Sequence, residues 1–115
     1  MIEVEPERFD ELVDAALDAL PDELARAMEN VAVLVVDDPP EPGLLGLYDG
    51  VPLTDREGYG AIGVLPDRIW IYRRPICELC DDVDEVVDEI YVTVVHEIAH
   101  HFGIDDQRLH DLGWA

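Results

Sequence analysis

The stretch VVHEIAHHFGIDD, residues 94–106, carries three histidines, a glutamate, a glycine and two adjacent aspartates. Around it, Val83, Val86, Val87, Ile90, Val94, Ile98 and Phe102 recur at about 100° per residue. That period predicts one long helix from about Val83 to Phe102, with a broad apolar stripe. His96 and His100 are four residues apart and sit one turn above each other. They project roughly opposite the centre of the stripe, with Glu89 and Thr93 near their side. The helix therefore has one face for a core and another for something polar. His101 projects into the stripe, which suits a hydrogen-bonded core histidine better than a ligand.

His96-Glu97-Ile98-Ala99-His100 reads H-E-x-x-H. Two imidazoles a turn apart can reach one ion at about 2.0–2.1 Å each. Glu97 points about 100° away from His96 round the axis. It is placed to act as a base on water at the metal without being a ligand. A catalytic zinc site takes three protein ligands and keeps one place open. Gly103 stands where a left-handed helix terminator belongs, and such a stop lets the chain turn back sharply. Asp106 is the favoured third ligand, giving H-E-x-x-H-x-x-G-x-x-D, with Asp105 and His110 as alternatives. Asp105 or Asp106 also suits the N-cap of a short last helix over QRLHDLGW, residues 107–114.

The flanking segments supply the frame. Phe9, Leu12, Val13, Ala16, Leu17 and Leu20 predict a first helix from about Pro6 to Leu20, and DELARAMEN restarts as a short one. VAVLVVDD, residues 31–38, is a β-branched run expected as a buried strand. RIWIYRRPI is the next strand, with Ile69 and Ile71 on one face and Trp70 and Tyr72 on the other. Asp49-Gly50 suits a tight reversal between two short extended segments, and residues 54 to 66 read as loop. CELCDD, residues 77–82, reads as a turn. The C-x-x-C of Cys77 and Cys80 lacks a βαβ setting and a second cysteine pair, so a structural turn or a labile disulfide is expected. DDVDE fails the calcium-loop spacing and reads as acidic residues in a helix's first turn.

HEIAHHFGIDD, preceded by LGLYDGVPLTDR and LPDRIWIYRRPI, resembles the minimal-zincin family of small bacterial zinc metallopeptidases. The resemblance runs from about Leu20 onward. It implies an α+β fold in which a small twisted mixed sheet packs against an N-terminal helix and a long metal-binding helix. It also implies zinc held by His96, His100 and Asp106, with Glu97 as the catalytic residue. Both methionines, Met1 and Met28, precede the motif, so the methionine turn of metzincins is missing. Few residues follow Gly103, so no second subdomain is expected to wall the cleft.

Composition narrows the partners. At 115 residues the chain suits one domain. Its 28 acidic and 7 basic side chains give a formal net charge of −21, which repels nucleic acid and anionic membranes and favours basic peptides. No signal peptide is recognisable, and two cysteines are too few for a secreted disulfide framework, so the cytoplasm is the expected compartment. The expected activity is peptide-bond hydrolysis through a metal-activated water. The alternative is a non-catalytic, zinc-stabilised module that binds a peptide or protein. A peptide could add to a sheet edge at LLGLYDG, and Tyr48, Tyr59 and Tyr72 are the hydroxyls available to steady an oxyanion.

Overall fold

The computed structural model describes residues 1–50 and 67–113, apart from the side chain of Asp106. The chain opens with α1 (Pro6–Asp18) and α2 (Asp22–Ala27), then β1 (Val31–Val36), β2 (Gly46–Asp49) and β3 (Asp67–Tyr72). Three helices follow: α3 (Arg73–Leu79), α4 (Val83–His101) and α5 (Asp106–Asp111). The reversal expected after Asp49 and the loop expected over 54–66 fall largely outside the described residues.

The strands are ordered β1-β3-β2 in one mixed sheet. β1 runs parallel to β3, from Val31 opposite Asp67 to Val36 opposite Tyr72. β2 runs antiparallel, with Gly46 opposite Ile71 and Tyr48 opposite Ile69. This is the α+β arrangement expected, with α1 packed on α4 and α4 packed on β2 and β3. Ile69 and Ile71 turn one sheet face inward and join Phe9, Val13, Val86, Ile90, Val94, Ile98 and Leu109 in a continuous core. Burying each such side chain fully contributes about 1.5–3 kcal/mol.

Four expectations change. β1 lies at an edge among the described strands, and all six of its residues are half-buried, not buried. A β-branched run reports burial on a face but says nothing of its place in the strand order. RIWIYRRPI is a strand only to Tyr72, after which RRPICEL forms α3. Pro75 falls in the first turn of α3, where no intrahelical N–H is required of it. CELCDD is accordingly not a turn: Cys77 lies within α3 and Cys80 caps its end. Phe102 leaves the apolar stripe, because α4 ends at His101 and Phe102, its C-cap, is 56% exposed.

The ends of α4 follow from its sequence. Asp82 caps the start by accepting from the Glu85 N–H at 2.8 Å, and Asp84 and Glu85 add charge to the first turn. Gly103 has φ 75°, as expected for the terminator. Its N–H bonds the His100 carbonyl, and the Ile104 N–H bonds the Ala99 carbonyl at 2.8 Å. Those two bonds make a Schellman motif, and half-buried Ile104 packs back on the core beside it.

Candidate metal centre

α4 carries the site on two adjacent rows of side chains. Thr93, Glu97 and His101 are spaced by four and form one row, and His96 and His100 form the next. Four helical residues rise about 6.0 Å, and two strand residues rise about 6.7 Å. The first row therefore matches alternate residues of a strand laid alongside, and β2 occupies that place. A Cβ added to Gly46 would meet the Thr93 methyl at 2.5 Å, so glycine is what lets strand and helix approach this closely. The Tyr48 N–H donates to Glu97 Oε2 at 3.3 Å. The His101 ring stacks on the Tyr48 ring with centroids 3.9 Å apart and planes 17° from parallel.

Among the described strands β2 lies at an edge, and its hydrogen-bond phase explains the Glu97 contact. The Tyr72 N–H donates to the Leu45 carbonyl at 3.0 Å, which makes that pair hydrogen-bonded. Gly46 and Tyr48 then turn their backbone groups away from β3, toward the outer edge. Glu97 takes the outward N–H of Tyr48.

The expectation for Thr93 and His101 changes as a result. Thr93 is buried at 7% exposure under β2, not on an open polar face. His101 is not a core histidine: its side chain is 36% exposed, with Nε2 3.8 Å from Asp67 Oδ2. The same Asp67 oxygen accepts from the Tyr48 hydroxyl at 2.7 Å. Helical projection misplaces both residues because it assumes one packing partner, and β2 supplies a second from the side. Gly46 and Gly50 are site elements that the sequence reading misses, and Tyr48, expected only as a candidate hydroxyl, engages Glu97, His101 and Asp67 instead. The alternation of Gly46, Tyr48 and Gly50, against the four-residue spacing of Thr93, Glu97 and His101, is the available signal.

On the adjacent row, His96 is half-buried and His100 exposed. Their ring centroids are 6.0 Å apart. An imidazole centroid stands about 3.2 Å from an ion its nitrogen binds, so two rings at this separation can share one ion. Asp105 is the N-cap of α5 and accepts from the Arg108 N–H at 2.8 Å. Its carboxylate is thus engaged, and Asp106 is released from the capping role. The side chain of Asp106 lies outside the described residues. Among the described residues no three His, Cys, Asp or Glu side chains form a cluster able to hold an ion.

Burial, and next the nearby Glu97 and Asp49 charges, raise the Tyr72 hydroxyl above its ordinary value. Tyr72 is buried, and Tyr48 gives its hydroxyl proton to Asp67. Tyr59 lies outside the described residues. Cys77 and Cys80 are free, buried thiols. Burial chiefly, helped by Glu89 and Glu85, pushes Cys80 to about 11.

The comparisons agree with this architecture. Residues 22–114 match the zincin-like metallopeptidase family. The chain belongs to that family. The match begins at α2, so α1 precedes the shared region. A conserved hypothetical protein from Thermo thermophilus has a similar structure, with a TM-score of 0.56 and 28% sequence identity, covering 86% of this chain and 94% of that one. No curated protein matches the chain. Zinc binding is general to a zincin-like family. Among the described residues, no helix is long and apolar enough to cross a membrane.

Proposed function

We propose that this chain is a zinc-dependent peptidase, with His96, His100 and Asp106 as the ligands and Glu97 as the general base. The observation that carries the reading is the pair of rows on α4: two imidazoles one turn apart, with a carboxylate one residue out of line beside a sheet edge. Zinc, when bound, supplies a Lewis acid for the scissile carbonyl and lowers the pKa of water. Glu97 accepts the water proton and hands it to the departing amine. An extended peptide would pair along the β2 edge next to Glu97, at outward backbone groups other than the Tyr48 N–H that Glu97 occupies. The net charge of −21 favours peptides rich in Lys and Arg. A cytoplasmic setting fits two buried, unpaired thiols.

The test combines metal analysis with hydrolysis of a diverse peptide library. Wild type is expected to hold one zinc per chain and cleave. Glu97→Gln is expected to keep the zinc and lose cleavage, and Asp106→Ala to lose the zinc. Activity surviving in Glu97→Gln would remove Glu97 from the chemistry. Stoichiometric zinc without turnover of any peptide would identify a zinc-stabilised binding module instead.

A further inference from the structure

Tyr48 makes three of the contacts that tie β2 into the site. Its backbone N–H holds Glu97 at 3.3 Å. Its ring lies against His101, the next residue along the Glu97 row. Its hydroxyl donates to Asp67 at the start of β3, so the ring cannot slide along the helix without breaking that bond. Two glycines make room for the arrangement. Gly46 admits Thr93 on one side of Tyr48. On the other side, a Cβ on Gly50 would stand 3.2 Å from His101 Cε1 and 3.7 Å from Tyr48 Cε1. Asp67 is well covered, with a side chain 15% exposed, so its bond with the Tyr48 hydroxyl is shielded from competing water.

We propose that Tyr48 and His101 are the positioning residues of this site: the stacked pair, pinned by Asp67, fixes the β2 edge so that the Tyr48 amide holds the Glu97 carboxylate in its working direction. The inference rests on the reading of Glu97 as the base. A glutamate has three side-chain torsions, and a base must meet its proton within hydrogen-bond reach. A backbone donor on a strand is a firm anchor only if the strand itself cannot drift. β2 is only four residues long and lies at an edge among the described strands, so its ladder to β3 alone leaves it prone to fraying. The Tyr48–His101 stack ties that strand to the helix that carries Glu97.

Backbone amide hydrogen exchange, followed residue by residue by NMR, reads the anchor directly in the zinc-free and zinc-loaded protein. Glu97→Ala is expected to speed exchange at the Tyr48 amide about tenfold, the factor one such hydrogen bond carries. His101→Ala is expected to do the same while the amides of Ile69, Ile71 and Ile90 keep their wild-type protection. His101→Phe, which restores a flat ring, is expected to restore it. Tyr48→Phe, which keeps the stack but loses the Asp67 bond, should fall between. In peptide assays His101→Ala should lower kcat with KM and zinc content unchanged, and His101→Phe should recover kcat. Unchanged Tyr48 exchange in His101→Ala, or equal acceleration at Ile69, Ile71 and Ile90, would overturn the proposal. A wild type that cleaves no peptide would defeat the peptidase reading alone, because the exchange pattern needs no turnover to be decisive.

Discussion

Gly46→Ala tests the seam between β2 and α4. The new Cβ would fall 2.5 Å from the Thr93 methyl and 3.0 Å from the Trp70 carbonyl oxygen. The first distance is a clash that something must relieve. Thr93 is buried and β-branched, so its methyl cannot swing clear cheaply. The carbonyl belongs to β3, in the centre of the sheet. Overpacking of this kind costs about 1–3 kcal/mol, which for a chain of this length is a fall in Tm of roughly 3–10 °C. Thr93→Ser removes the offending methyl. The double variant Gly46→Ala/Thr93→Ser should therefore recover most of the loss, with a coupling of about 1 kcal/mol or more. Urea denaturation followed by circular dichroism measures all four corners of the cycle. If Gly46→Ala is as stable as wild type, or if Thr93→Ser gives no recovery, β2 does not seat on the Thr93 row and the account of the site's frame fails.

Three further outcomes follow from single groups. Asp105→Ala removes the α5 cap and should cost about 1 kcal/mol in denaturation while leaving zinc content unchanged; loss of zinc instead would make Asp105 a ligand. The Arg73 guanidinium holds the Asp37 carboxyl below its ordinary value, so that contribution is complete above about pH 4 and drains away as pH falls through the lower folded value. Asp37→Asn should therefore flatten the acid side of the stability profile, and a profile parallel to wild type would refute it. In a Cys77→Ser background, Cys80, raised to about 11, should react with a thiol reagent at pH 8 about a hundredfold more slowly folded than in denaturant. Its stabilising contribution is present below the ordinary thiol value and is lost as pH rises through about 11.

The helix that carries the site is legible in the sequence because its signals are local. Period, acidic first turn, terminating glycine and ligand spacing all lie within residues 81–106, and each depends only on near neighbours along the chain. α3 is not legible for a local reason too: Pro75 and the aromatic run before it argue for an extended segment, and only its place in the first helical turn makes the proline harmless. The half-buried edge position of β1 is beyond reach because strand order depends on pairings distant in sequence. His101 shows the same limit in a single side chain. Its helical azimuth follows from the sequence, but what lies at that azimuth is Tyr48, from a strand about fifty residues earlier.

On the proposed reading, that contact accounts for a base that follows the first ligand by one residue. On that reading, a residue in line with His96 and His100 would point at the ion and compete for it. A residue on the far side of the helix would be buried among Val94, Ile98 and Val86. One position along, about 100° round, is the side on which α4 meets β2. There a carboxylate faces β2 and still borders the histidine row. The row that seats the strand and the histidine row are therefore adjacent by construction, and Glu97 is the side chain on the boundary. Moving the strand by one helical row would place it over His96 and His100 and close the site. The narrow fit at Gly46 and the stack at His101 are what hold it off that row.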